Sequence, residues 1–270
     1  MAVELVPRAA VIKQVVDESL DVKSLVFEFA DGSELSSLPG QFIEVSIPGV
    51  GESTFAVSRL EPGARRFHVS VKRMGHVTKA LHRSAAGETA FVRGPYGKPF
   101  PVGEWKVKDI LIVGGGIGLA PLRPVVDHIL ANRADYGKLD IVFGARTPGD
   151  MIFREDLAAW GNDAGIKLVK TIDVECVDWD GCVGLLPNVV KQQGYRSDGS
   201  IAVVCGPPIM IRFTMAALKE LGWPDAQVYT TLEMKMQCGI GQCGRCNIGG
   251  KYVCKDGPVF RLDQIPASAM

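Results

Sequence analysis

Four of the seven cysteines in this 270-residue chain fall within residues 238–254, as Cys238, Cys243, Cys246 and Cys254. Their spacing is C-x4-C-x2-C-x7-C, and the first three positions match the plant-type [2Fe–2S] spacing. Gly239 and Gly241 fall between the first two cysteines and Gly244 between the second and third. Glycine there lets the backbone wrap closely around a cluster and aim amides at its sulfurs. Gly249-Gly250, flanked by short β-prone runs, predicts a tight hairpin that returns Cys254 toward Cys246. The competing chemistry is zinc on four thiolates. Zinc sites more often pair C-x2-C with a second C-x2-C or with His, and this chain has neither after His128. A [4Fe–4S] cluster commonly uses two-residue gaps throughout. Cys176 and Cys182 lie outside the cluster and are expected to be non-ligating. An odd, crowded cysteine set argues for a metal centre in a reducing compartment rather than a disulfide framework.

A second candidate site is the run Gly114-Gly115-Gly116-Ile117-Gly118-Leu119-Ala120-Pro121. It follows an apolar strand and precedes a helix, where glycines admit a phosphate and the helix start supplies N–H groups and positive dipole. It is not G-x-G-x-x-G: Leu119 or Pro121 stands where the third glycine belongs. A tight turn without a ligand is the alternative for this loop alone. Cys205-Gly206-Pro207-Pro208 follows another apolar strand. In an open parallel sheet both turns would lie at the carboxyl edge, where ligands bind. Arg146, at the end of the strand after the first turn, suits a 2′-phosphate, but Asp150 is close in sequence and a surface charge fits equally well. NAD and NADP therefore both stand.

The elements that must position these residues fall into three regions. Residues 1–104 are expected to form a β-barrel or sandwich, with strands at Val11–Val16, Ser24–Phe29, Gln41–Ile47 and Phe67–Val71 and a helix at Val77–Arg83. Residues 105–226 alternate strands (Asp109–Val113, Leu139–Phe143, Ile201–Cys205) with helices (Leu122–Asn132, Ile209–Leu221), which predicts a parallel α/β sheet. Residues 227–270 are too short for a core of their own, so the metal is expected to order them.

Hydrophobic residues make up 47% and charged residues 22%, which places the chain among ordinary globular proteins. Thirty basic and thirty acidic residues cancel, so no large nucleic-acid footprint is expected. The charge-free runs are too short to span a bilayer, and residues 1–17 lack a signal-peptide pattern. A soluble, cytoplasmic protein is expected.

Taken in order, the β-rich start, Gly75-His76-Val77-Thr78, Gly94-Pro95-Tyr96-Gly97, GGGIGLAPL at 114–122, CGPP at 205–208 and the cysteine cluster resemble the ferredoxin–NADP reductase superfamily. The likeness spans nearly the whole chain and is nearest the branch of electron-transfer subunits of dihydroorotate dehydrogenase, sulfhydrogenase and anaerobic sulfite reductase. It implies a β-barrel FAD domain, an α/β parallel-sheet NAD(P) domain and a small C-terminal [2Fe–2S] appendage. The family's flavin motif, Arg-x-Tyr/Phe-Ser, falls on Ser53, Thr54, Phe55 and Ala56, so the aromatic is kept and the Arg and Ser are not. Glu52 adds a negative charge beside the expected phosphate site. The resemblance leaves Ser70, Val71, Lys72, Arg73, Gly75, Val77 and Thr78 to hold FAD. Phe55 also fits plain barrel core, and Lys72 with Arg73 a solvated pair. Cys205 matches a family position near the nicotinamide, and Glu233 is a candidate polar group near the flavin; a buried thiol and a surface charge are the alternatives.

The expected function is to move electrons between NAD(P)H, FAD and a [2Fe–2S] cluster, and on to or from a partner redox subunit. Rival readings are a stand-alone reductase for a diffusible acceptor and a non-enzymatic scaffold with a zinc-stabilised tail.

Overall fold

The computed structural model describes residues 5–61, 63 and 65–265. The outer ends of the first and last expected regions, residues 1–4 and 266–270, lie outside the described residues.

Six strands close an antiparallel barrel in the order β1-β2-β5-β4-β3-β6. They are β1 (Arg8–Asp17), β2 (Val22–Phe29), β3 (Phe42–Ile47), β4 (Gly51–Leu60), β5 (Arg66–Lys72) and β6 (Thr89–Tyr96), with α1 (His76–Leu81) between the last two. The apolar residues of alternating strand positions, among them Ile12, Leu25, Phe27, Ile43, Phe67, Val69 and Val92, fill its interior. The expected strands and helix all form. Two further strands, β4 and β6, complete the closure. β4 carries Gly, Glu, Ser and Thr at its start, so its own composition is a weak strand signal. It is held by pairing to β3 from Gly51 to Ala56 and to β5 at Val57–Leu60.

The second sheet has seven strands in the order β10-β9-β8-β7-β11-β12-β15. In chain order its elements are β7 (Ile110–Gly115), α2 (Arg123–Ala131), β8 (Leu139–Ala145), α3 (Arg154–Asn162), β9 (Ile166–Ile172), β10 (Cys182–Val183), α4 (Leu186–Gln193), β11 (Ile201–Cys205), α5 (Pro208–Glu220) and β12 (Val228–Thr231). Pairing is parallel from β10 through β12. β7 and β11 are apolar throughout, as strands covered on both faces must be: Ile112, Val113, Val203 and Val204 are fully buried. Gly114 and Gly115 belong to β7 rather than to the turn. They pair with Phe143 and Gly144, and the backbone turns only at Gly116, whose φ is +53°.

The cysteine region holds a two-stranded hairpin, β13 (Asn247–Ile248) with β14 (Lys251–Tyr252), followed by the single turn α6 (Val253–Asp256) and by β15 (Val259–Arg261). Gly249 and Gly250 both have positive φ, 52° and 90°, as the tight turn requires. By internal packing the chain forms two compact units. Among the described residues, one comprises those from 5 to 100, 123–127 and 232–259; the other comprises 101–122, 128–231 and 260–265. Most of the cysteine region therefore shares a unit with the barrel.

Candidate functional site

The four cysteines come together in two pairs. The hairpin brings Cys246 Sγ to 3.2 Å from Cys254 Sγ, and both side chains are buried. Cys238 and Cys243 lie nearer solvent, the first partly and the second fully exposed. Gly239, Gly241 and Gly244 take φ of 76°, 79° and 75°, a left-handed conformation that turns successive amides inward. Ile240, Gln242 and Cys243 each donate a backbone N–H to Cys238 Sγ at 3.3–3.4 Å. Gly241 N donates to Cys254 Sγ at 3.0 Å.

These donors set the acidity of the thiols. Burial works against a thiolate at Cys238, but the three N–H groups outweigh it and bring the thiol down to about 6. Burial, with the neighbouring Cys246 thiol, pushes Cys254 up to about 12. The site thus offers amide-stabilised negative charge at Cys238 and a protected pair inside. Two ligands for each of two irons fit this arrangement. Cys176 is exposed and Cys182 half-buried near β9, both outside this group.

On the barrel, Ser53, Thr54, Phe55 and Ala56 follow one another along β4, opposite Val45, Glu44, Ile43 and Phe42. Phe55 packs into the barrel core. Thr54 Oγ1 lies 2.9 Å from both carboxylate oxygens of Glu44, to which it donates. Glu44 is only 1% exposed, and burial raises its carboxyl to about 7 against the opposing pull of Thr54 and Arg93. Glu52, expected to leave an unbalanced negative charge, is instead paired through both oxygens with the buried guanidinium of Arg93. Arg93 and Glu44 escaped the sequence reading. The one available signal was an Arg inside the apolar run Phe91-Val92-Arg93 and a Glu inside Phe42–Ile47.

Val71 packs into the barrel core, whereas Ser70, on the opposite face of β5, sits in a buried hydroxyl chain with Ser24 and Ser58. Lys72 Nζ lies 3.5 Å from Asp21, and Arg73 is exposed. Gly75, Val77 and Thr78 open α1. Thr78 Oγ1 accepts the Met74 and Gly75 N–H groups at 2.9 Å each, which fixes the loop into the helix. An added Cβ at Gly75 would meet nothing within 4 Å, so the backbone there is open to a phosphate.

In the parallel sheet the two glycine-bearing turns are neighbours, because Gly114 and Cys205 pair across β7 and β11. Ile117 and Gly118 belong to a short 3-10 turn, Gly116–Leu119. A Cβ on Gly118 would lie 2.5 Å from the Cys205 carbonyl carbon, so glycine is what allows the two turns to touch. Gly116 faces open space, the approach that a pyrophosphate needs. Gly206 packs under Met210, and Pro207 precedes α5. Cys205 is buried, with Sγ 2.8 Å from Thr231 Oγ1. Arg146 is exposed and holds Asp150 at 3.0 Å, while Asp150 also accepts from Thr147 at 2.9 Å. Glu233 reaches solvent, yet surrounding protein raises its carboxyl above the ordinary range.

The chain matches three family models. They are an oxidoreductase FAD-binding domain over residues 9–100, an oxidoreductase NAD-binding domain over 112–216, and the iron–sulfur cluster binding domain of dihydroorotate dehydrogenase B over 233–266. It is 36% identical over 247 residues to sulfhydrogenase 1 subunit gamma of Pyrococcus furiosus, covering 88% of this chain and 85% of that one. It is 33% identical over 258 residues to a probable dihydroorotate dehydrogenase B (NAD(+)) electron transfer subunit of Methanothermobacter thermautotrophicus, covering 94% and 89%. A solved NADH-dependent reduced ferredoxin–NADP oxidoreductase superposes with a TM-score of 0.78 at 25% identity, covering 99% of this chain and 92% of that one. The chain therefore belongs to the ferredoxin–NADP reductase superfamily, in the branch of the sulfhydrogenase gamma and dihydroorotate dehydrogenase electron-transfer subunits, and carries that branch's FAD-binding, NAD-binding and iron–sulfur cluster-binding domains.

Proposed function

We propose that this chain is the electron-transfer subunit of a cytoplasmic redox complex, linking NAD(P)H to a partner subunit. The observation that carries this is the paired cysteine cage of residues 238–254, one pair buried and one at the surface. When bound, a flavin exchanges two electrons with a nicotinamide and single electrons with an iron–sulfur cluster, which accounts for the three binding domains on one chain.

The remaining roles belong to the chain's own residues. Cys238 and Cys243 hold one iron and Cys246 and Cys254 the other, with the loop amides stabilising charge on sulfur. Gly75, Val77 and Thr78 present the α1 amides to the FAD pyrophosphate. Ser53, Thr54, Phe55 and Ala56, with the backbone of Ser70, Val71 and Lys72, border the flavin. Gly114–Gly118, Gly206 and Pro207 take the dinucleotide phosphates, Cys205 lies toward the nicotinamide, and Arg146 meets the ribose. Glu233 is assigned a polar role near the flavin. The working segments are 1–104, 105–226 and 227–270, one for each cofactor. Among the described residues no helix is long and apolar enough to cross a membrane.

The test is anaerobic purification from the source organism, with a visible spectrum, iron, sulfide and flavin assays, and mass spectrometry of co-purifying chains. FAD, two irons and a stoichiometric partner are expected. A colourless protein with one zinc, or a lone chain with full turnover on a small soluble acceptor, overturns the reading.

A further inference from the structure

Arg93, on β6, is 8% exposed, and both edges of its guanidinium are engaged. On one edge it binds Glu52 of β4 through both carboxylate oxygens, with Nε at 2.8 Å from Oε2. On the other, Nη1 donates to the Cys238 carbonyl at 2.7 Å and Nη2 to the Gln237 carbonyl at 2.6 Å. Such charge-assisted bonds from a planar fork are directional, so they orient the peptide planes that they grip. Three residues further on, the Tyr96 ring lies under the next loop residue: a Cβ on Gly239 would stand 2.7 Å from Tyr96 Cδ2. Residues 237–239, which lead into the cluster loop, are therefore seated on two side chains of β6.

We propose, resting on the electron-transfer reading above, that Arg93 is a positioning residue that fastens the Cys238 end of the cluster loop to the flavin-side strand β4 and, with Glu52, sets the charge that the cluster faces. A planar peptide whose carbonyl points at the guanidinium must point its N–H the other way, so the grip fixes the two peptide planes that lead into the loop, directly before the residues Ile240 to Cys243 whose amides donate to sulfur. The pair is also oriented. Its cationic end touches the cluster loop and its anionic end stays on β4, with the buried Glu44 directly across from Arg93 in the β3–β6 register.

The experiment compares Arg93→Met, Arg93→Lys and Glu52→Gln with the exposed control Arg66→Met in the holoprotein. The readings are the cluster's midpoint potential by spectroelectrochemistry, the iron content, and amide exchange of residues 236–244. Arg93→Met leaves Glu52 unbalanced and is expected to lower the midpoint. Glu52→Gln leaves the cation and is expected to raise it. Arg93→Lys keeps the charge but loses the fork, so its midpoint stays near the parent's while loop exchange is at least about tenfold faster. Arg66→Met, whose partner Glu28 is a surface pair at 3.4 Å, changes neither. A purely structural role would not shift the potential in opposite directions. If Arg93→Met fails to hold its cluster, the direction in Glu52→Gln decides. Parent-like midpoints and exchange in all three variants overturn the proposal, whereas a parent protein lacking any cluster overturns the electron-transfer reading instead.

Discussion

Cys246 Sγ and Cys254 Sγ lie 3.2 Å apart because the Gly249-Gly250 turn folds β14 back on β13. Val253 N donates to the Cys246 carbonyl at 3.0 Å and locks the return. Cys246→Ser is expected to abolish the normal cluster spectrum and most bound iron, while Cys176→Ser retains both. Iron and sulfide assays on the two variants check this; full iron with an unchanged spectrum in Cys246→Ser would sink the ligand assignment.

The contact of Gly118 with Cys205 makes a second prediction. A methyl at 118 has to displace the backbone at 205–206, 2.5 Å away, and thus part the two turns. Gly118→Ala is expected to lose reduction by NADH and NADPH at least about tenfold, with FAD still bound. Gly116→Val, at φ +53° in open space, strains the turn by about 1–2 kcal/mol and blocks phosphate approach. Stopped-flow reduction of the flavin measures both. Parent rates and affinities in both variants place the dinucleotide elsewhere.

Arg146 is held by Asp150, and that pair bears on the choice of nicotinamide. Asp150→Asn removes the carboxylate charge, so Arg146 is freer to meet a 2′-phosphate. The ratio of NADPH to NADH affinity is expected to rise in the variant. An unchanged ratio would show that Arg146 is a surface charge with no part in recognition.

Glu44 gives the protein a pH signature. Burial, with the Glu52 charge adding to it, raises the carboxyl from 4.5 to about 7, so the folded state keeps a proton that the unfolded chain has released. This contribution is most favourable below the unfolded value. Stability then falls as pH rises from about 4.5 to about 7, by about 3 kcal/mol, and levels off above. Glu44→Gln keeps an acceptor for Thr54 and removes the titration. Denaturant curves across this window are expected to show the variant gaining on the parent as pH rises. A stability difference independent of pH would refute the assignment.

The flavin is expected to be FAD, since the Gly75–Thr78 turn opens onto free space suited to a pyrophosphate. Releasing it by denaturation and chromatographing it tests this; FMN alone would contradict it.

Local sequence was enough wherever the physics is local. Cysteine spacing, the Gly-Gly hairpin and the two glycine turns were legible because each depends on backbone freedom or ligand reach within a few residues. Strongly apolar runs such as Ile201–Cys205 announced buried parallel strands for the same reason. β4 was not announced, because its Gly-Glu-Ser-Thr start is half polar and is made a strand by its neighbours. The division of the four cysteines into a buried and an exposed pair is likewise a property of packing. Sequence also made Glu52 an unbalanced charge, and only the tertiary structure brought Arg93, 41 residues away, to pair with it. The same guanidinium reaches 145 residues along the chain to Cys238. Spacing fixes which residues are able to act as ligands. Which charges are neutralised, and what the cluster loop rests on, depend on long-range burial, where an unpaired ion is costly and the fold must supply its partner.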